Sequence, residues 1–125
     1  MHPTELRIGN WVDCRIDGDH VQITAKDLRD SELRPLEGWQ MIYKPIATTQ
    51  EWLKKFGFVD GLITTKTNEI EVYVSRHAFG YEICLSAFKL DARYDVDVSQ
   101  IHKLQNVFFA LTGEELILRE NKKNI

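Results

Sequence analysis

The sequence predicts an α+β fold, on three observations. In IEVYVSR and YEICLSAF, apolar and polar residues alternate along two successive segments, the two-residue period of half-buried strands. From Val98 through Ile101, Leu104 and Phe108 to Leu111, apolar residues recur every three or four positions, the stripe of an amphipathic helix. Near the N-terminus two apolar runs flank Asp17-Gly18-Asp19, a cluster that favours a turn between strands. The expected architecture is an antiparallel sheet, made of SH3-like N-terminal hairpins and a β-meander, with one short capped helix and one longer C-terminal helix. At 125 residues the chain suits one domain over 1–125, burying roughly two-thirds of the surface its unfolded form exposes.

The elements follow in order. Residues 6–25 are the first hairpin: Trp11, Val12 and Ile16 precede the turn, Val21, Ile23 and Ala25 alternate after it, and Gly9 fits a tight entry. KDLRDSELRPLEG is charged and broken by Pro35 and Gly38, so it is expected to be a loop with at most one helical turn. WQMIYKPI resumes as a strand as far as Pro45. TTQEWLKKFGF is the short helix. Thr48 and Glu51 are spaced as a capping box, Trp52 and Phe56 share a face, Gly57 ends the helix, and Phe58 folds back on Leu53. LITTK is a further strand before a turn at Thr67-Asn68-Glu69. The meander follows, with Ile70, Val72, Val74, Tyr81, Ile83 and Leu85 inward and a link at His77 to Gly80. KLDARYDVD loses the period and is expected to be a loop. The long helix takes Ser99 or Asp97 as cap and stops at Gly113, after which EELILRE is short and strand-like.

Composition bounds the function. Hydrophobic residues are 43% and charged residues 28%, the balance of an ordinary globular chain. A formal net charge of −3 and a pI near 5.8 supply no sequence-independent attraction to nucleic acid or to an anionic membrane, and leave only a local basic patch for either. The start, MHPTELRIGN, has no apolar signal core, and no apolar run approaches the roughly 20 residues of a membrane helix, so a cytoplasmic protein with no membrane partner is expected. Cys14 and Cys84 stand outside any CxxC pair and are expected as reduced thiols.

Three segments, LRIGNWV, KPIATTQEWLKKFGF and IHKLQNVFFALTGEEL, resemble a family of small proteins of gut bacteria and their phages and integrative elements, whose members read LRIGNYV, PIPLTEEWLLKFGF and VHQLQNLYFALTGEEL. The match covers both ends and the centre, with 59–97 aligning loosely. Ala47-Thr48 stands where Pro-Leu is usual, and Lys103 where Gln is usual. The resemblance implies co-residence with mobile elements and carries no activity over.

Two sets of residues are candidates for binding. His102, Gln105 and Asn106 lie within a turn of one another beside Phe109, and they either present donors and acceptors to a partner or satisfy the protein's own strand edges. Trp11, Trp39 and Tyr43 either form an aromatic platform at the rim of the first sheet or fill the core. Asp91, Asp95 and Asp97 lack the ligand spacing and turn glycine of a calcium loop. His2, His20, His77 and His102 form no HxH or HExxH group, and GxSxG, the P-loop and GxGxxG are absent. The expectation is a non-catalytic binding or accessory module with no cofactor or metal, acting on a protein partner. The alternatives are nucleic-acid binding helped by Lys26, Arg29, Lys54 and Lys55, and an enzyme with a dispersed carboxylate site.

Overall fold

The computed structural model describes residues 1–16, 18–66, 70–77, 80–87, 90–94 and 96–119. After a 3-10 turn at Pro3–Glu5 come β1 (Trp11–Cys14) and β2 (Asp19–Gln22), then α1 (Ala25–Leu33), α2 (Leu36–Ile42) and the two-residue β3 (Tyr43–Lys44). Helix α3 (Gln50–Phe56), strands β4 (Leu62–Thr64), β5 (Glu71–His77), β6 (Gly80–Ala87) and β7 (Leu90–Tyr94), and helix α4 (Ile101–Thr112) complete an α+β chain. The strands form two antiparallel sheets, ordered β2-β1-β3 and β4-β5-β6-β7.

The alternation in the meander sets its register. Val72 pairs with Leu85 and Val74 with Ile83, which brings the apolar side chains of both strands onto one face. That face, with Ile63 of β4, packs against Trp52, Leu53 and Phe56 of α3 and Ile101, Leu104 and Phe108 of α4 to make the larger core cluster. The first hairpin forms as the sequence implies, with Val12 opposite Val21; Asp17 of its turn lies outside the described residues. A second, smaller cluster sits behind this hairpin and joins Leu6, Val12, Cys14, Ile23, Trp39 and Tyr43. Trp11 packs against the larger cluster while its neighbour Val12 enters the smaller one, so β1 is the wall between them.

Several expectations are corrected. The charged stretch after residue 25 is two helices. Thr24 caps α1 with a reciprocal box: its hydroxyl accepts from the Asp27 N–H at 3.3 Å, and the Asp27 carboxylate accepts from the Thr24 N–H at 2.8 Å. Pro35 stands at the N-cap of α2, where its missing N–H costs nothing, and Gly38 is tolerated within that helix. The first half of WQMIYKPI is therefore helical, only Tyr43 and Lys44 pair with β1, and two helices stand where an SH3-like order of consecutive hairpins places a strand. KLDARYDVD contains β7, paired through Ala87↔Leu90 and Ile83↔Tyr94, because its pairing partner β6 supplies the ladder that its own aspartates obscure. The described part of EELILRE, residues 114–119, forms no strand. The α3 cap is Thr49, whose hydroxyl accepts from the Trp52 N–H at 3.2 Å, while Thr48 is buried and donates to the Val98 carbonyl at 2.7 Å. Gln100, rather than Ser99 or Asp97, is the N-cap of α4. The turn at Thr67-Asn68-Glu69, and Ala78 and Phe79 of the β5–β6 link, lie outside the described residues.

The close of α3 is as expected. Gly57 adopts φ +99°, the Phe58 N–H donates to the Leu53 carbonyl at 2.9 Å, and the Gly57 N–H donates to Lys54 at 2.9 Å, which is the Schellman pattern. A Cβ at Gly57 would adopt an unfavourable left-handed backbone and run into the Arg119 side chain. Gly57→Ala is expected to cost about 1–2 kcal/mol in urea unfolding, and a cost near zero would mean that this turn relaxes freely.

Candidate functional site

The polar face of α4 is turned toward the N-terminal loop. Sheet one gives the reason: β3 is two residues long and pairs only with Asp13 and Cys14 of β1, which leaves the chain at Gly9 and Trp11 without a neighbour on that side. Gln105, buried on α4, supplies one. Its Oε1 accepts from the Trp11 N–H at 2.8 Å and its Nε2 donates to the Gly9 carbonyl at 3.2 Å, so one side-chain amide does the work of a missing strand's peptide group.

Asn106 extends the same junction. Its Nδ2 donates to the Glu5 carbonyl at 2.8 Å, and its Oδ1 accepts from the Asn10 side chain at 2.9 Å and from Arg7 Nε at 2.7 Å. The Arg7 guanidinium also donates to Glu115 at 2.6 Å and lies 4.7 Å from the centroid of the Phe109 ring. LRIGN and the α4 segment are thus two halves of one hydrogen-bonded junction.

His102 closes it at the other end. The imidazole is buried, and its Nε2 lies 3.1 Å from Glu5 Oε1. A carboxylate only accepts, so the proton of the neutral ring sits on Nε2, leaving Nδ1 as an acceptor with no partner among the described residues. Burial holds the His102 pKa below its ordinary value, against the opposing pull of Glu5. Glu5 is itself held low, first by the His2 backbone N–H and then by His102.

The unfolded chain accepts the His102 proton near the ordinary pH 6.5 and the folded chain only below that. The unfolded state therefore binds more protons across this window, so the contribution is complete above about pH 6.5 and is lost as pH falls. Between about pH 7.5 and 5.5 the urea midpoint is expected to fall further in the parent chain than in His102→Leu. Equal falls would show that His102 titrates as if exposed.

Of the two alternatives for Trp11, Trp39 and Tyr43, an aromatic platform or core packing, the platform is not assembled. Trp39 is fully buried and stacks on Tyr43 with ring centroids 4.8 Å apart. Tyr43 is buried too and donates to Asp27 Oδ1 at 2.9 Å, and burial, with this carboxylate, raises its phenol above the ordinary range. Trp11 lies half-buried on the other side of β1 against Trp52, at 5.9 Å, with His20 edge-on to the same ring at 5.1 Å and Lys55 Nζ 5.0 Å from it. His20 also pairs with Asp13. Trp39, Tyr43, His102 and Gln105 are thus buried, and the half-buried Asn106 is committed to the junction with the N-terminal loop. Phe109 remains 41% exposed beside them.

What stays open lies elsewhere, between the end of β1 and α1. A groove of about 700 Å³ is backed by Cys14, Ile42 and Tyr43, with Ile16 and Leu33 on its lips. These two side chains are 71% and 77% exposed, and α1 itself has no buried residue. Sequence patterning missed the groove because it read α1 as loop, although Thr24 three positions before Asp27 is a legible helix start. Cys14 and Cys84 are both free thiols. Among the described residues no three His, Cys, Asp or Glu side chains gather closely enough to hold a metal ion, and no helix is long and apolar enough to cross a membrane. No protein-family model, curated protein or solved structure matches the chain.

Proposed function

We propose that the chain is a non-catalytic accessory module, of phage or mobile-element origin, that holds a protein partner in the groove between β1 and α1. The observation that carries this reading is the pair Ile16 and Leu33. Isolated exposed apolar residues are ordinary on protein surfaces, but these two line one concavity of ligand-cleft size and have no core of their own to enter. The resemblance in LRIGNWV, TTQEWLKKFGF and HKLQNVFFALTGEEL supports the mobile-element origin. The structural use of His102, Gln105 and Asn106 shifts the binding role from α4 to α1.

The test is affinity capture with the intact chain from cells that carry it, with Leu33→Asp and Ile16→Asp as controls. Leu33 and Ile16 are exposed, so both variants are expected to melt with the parent. One protein should be recovered in near-equal amount, survive nuclease treatment, and be lost from both variants. Recovery that depends on nucleic acid, or that both variants retain, would reject the reading.

A further inference from the structure

We infer that the groove's occupant is an acidic segment of another protein, one that carries large apolar side chains flanked by Asp or Glu; this rests on the binding-module reading. The inference comes from the charges on α1. Lys26, Arg29 and Arg34 line the groove together with Asp27 and Asp30. Both carboxylates are already engaged. Asp27 Oδ2 accepts from the backbone and hydroxyl of Thr24 at 2.8 and 3.0 Å, and its Oδ1 accepts from the Tyr43 hydroxyl at 2.9 Å. Asp30 pairs with Arg34, Nε to Oδ2, at 2.6 Å. Lys26 and Arg29 are left with no carboxylate in ion-pair reach among the described residues.

With three cations and two carboxylates, the groove lining of a chain of net charge −3 thus has a local excess of one positive charge, with Lys26 and Arg29 outside any ion pair, beside its exposed apolar lips. Within a screening length of about 8–10 Å the local charge outweighs the distant excess, so an approaching acidic segment is attracted and a basic one repelled. Apolar side chains of the segment would cover Ile16 and Leu33 while its carboxylates meet Lys26 and Arg29. A nucleic-acid strand fits less well. The groove's one aromatic ring, Tyr43, is only 8% exposed and its hydroxyl is spent, so no base can stack there.

The experiment selects binders to the intact chain from a display library of random 12-residue peptides. Enriched sequences should combine Asp or Glu with Leu, Ile, Phe or Trp. Synthesised, they should bind about tenfold or more weakly to the Lys26→Glu/Arg29→Glu double variant and to Leu33→Asp, each verified as folded by thermal melting. Replacing their Glu by Lys should also weaken them. Enriched peptides with no acidic excess, or peptides indifferent to the double variant, overturn the inference while leaving a peptide-binding module standing. Absence of any enrichment overturns both. Displacement of the peptides by single-stranded oligo-dT would reassign the groove to nucleic acid.

Discussion

Replacing Gln105 by leucine is expected to destabilise the protein by about 1–3 kcal/mol, a substantial share of the stability of a domain this size. The substitution keeps an apolar body in the buried site and removes the amide that satisfies two backbone groups, the Trp11 N–H and the Gly9 carbonyl. The Gly9 carbonyl keeps a second donor, Gln22 Nε2 at 3.1 Å, so the group left without a partner is the Trp11 N–H, at about 1–3 kcal/mol, and the extra apolar burial of leucine offsets only part of that. Gln105→Glu is the sharper control. A carboxylate still accepts from Trp11 but opposes the Gly9 oxygen with a second acceptor, so its cost should shrink at acid pH, where a protonated carboxyl donates again. Urea unfolding of the three chains decides the matter. A leucine variant within about 0.5 kcal/mol of the parent would mean that water or a shifted loop satisfies β1 instead.

Trp39→Ala is expected to cost about 3–5 kcal/mol, through lost burial and the cavity left behind. Trp39 is the largest fully buried side chain, it stacks on Tyr43, and its indole N–H reaches the Asp27 carbonyl at 3.4 Å. The smaller cluster holds six buried residues, so little remains to close around the gap. The damage should also be local. Helices α1 and α2 are held by this cluster, whereas α4 belongs to the larger one. Hydrogen exchange should therefore speed up over residues 25–42 more than over 101–112. Uniform loss of protection across both would show that the two clusters unfold as a single unit.

Much of the architecture was legible because it is written in local periods. The stripe from Val98 to Phe108 is buried as read, Gly57 and Gly113 end their helices with positive φ, and the alternation of β5 and β6 points its apolar members to one core. What escaped local reading depends on partners far along the chain or on competing signals. Residues 26–38 carry enough charge and breakers to resemble a loop, which masked the local start signal at Thr24 and Asp27, and contact through Leu28, Trp39 and Ile42 holds the two helices in place. Adjacent threonines hid which one caps α3. The α4 face was identified together with the role it has, satisfying the protein's own backbone, but not its partners, since Arg7 and Asn10 lie more than ninety positions from Gln105 and Asn106. Of the aromatic candidates, size alone favoured the interior for Trp39 and Tyr43. The groove at Ile16 and Leu33 could not be read until α1 was known to be helical.

The junction between LRIGN and α4 also imposes an order on synthesis. The bond from Trp11 to Gln105 spans 94 positions and that from Arg7 to Glu115 spans 108. At translation rates of about 5–20 residues per second, the first hairpin leaves the ribosome roughly 5–20 s before the amide that completes its open edge. During that interval the nascent chain presents a bare peptide N–H at Trp11, so chaperone dependence and misassembly should concentrate on ribosome-bound chains rather than on the finished protein.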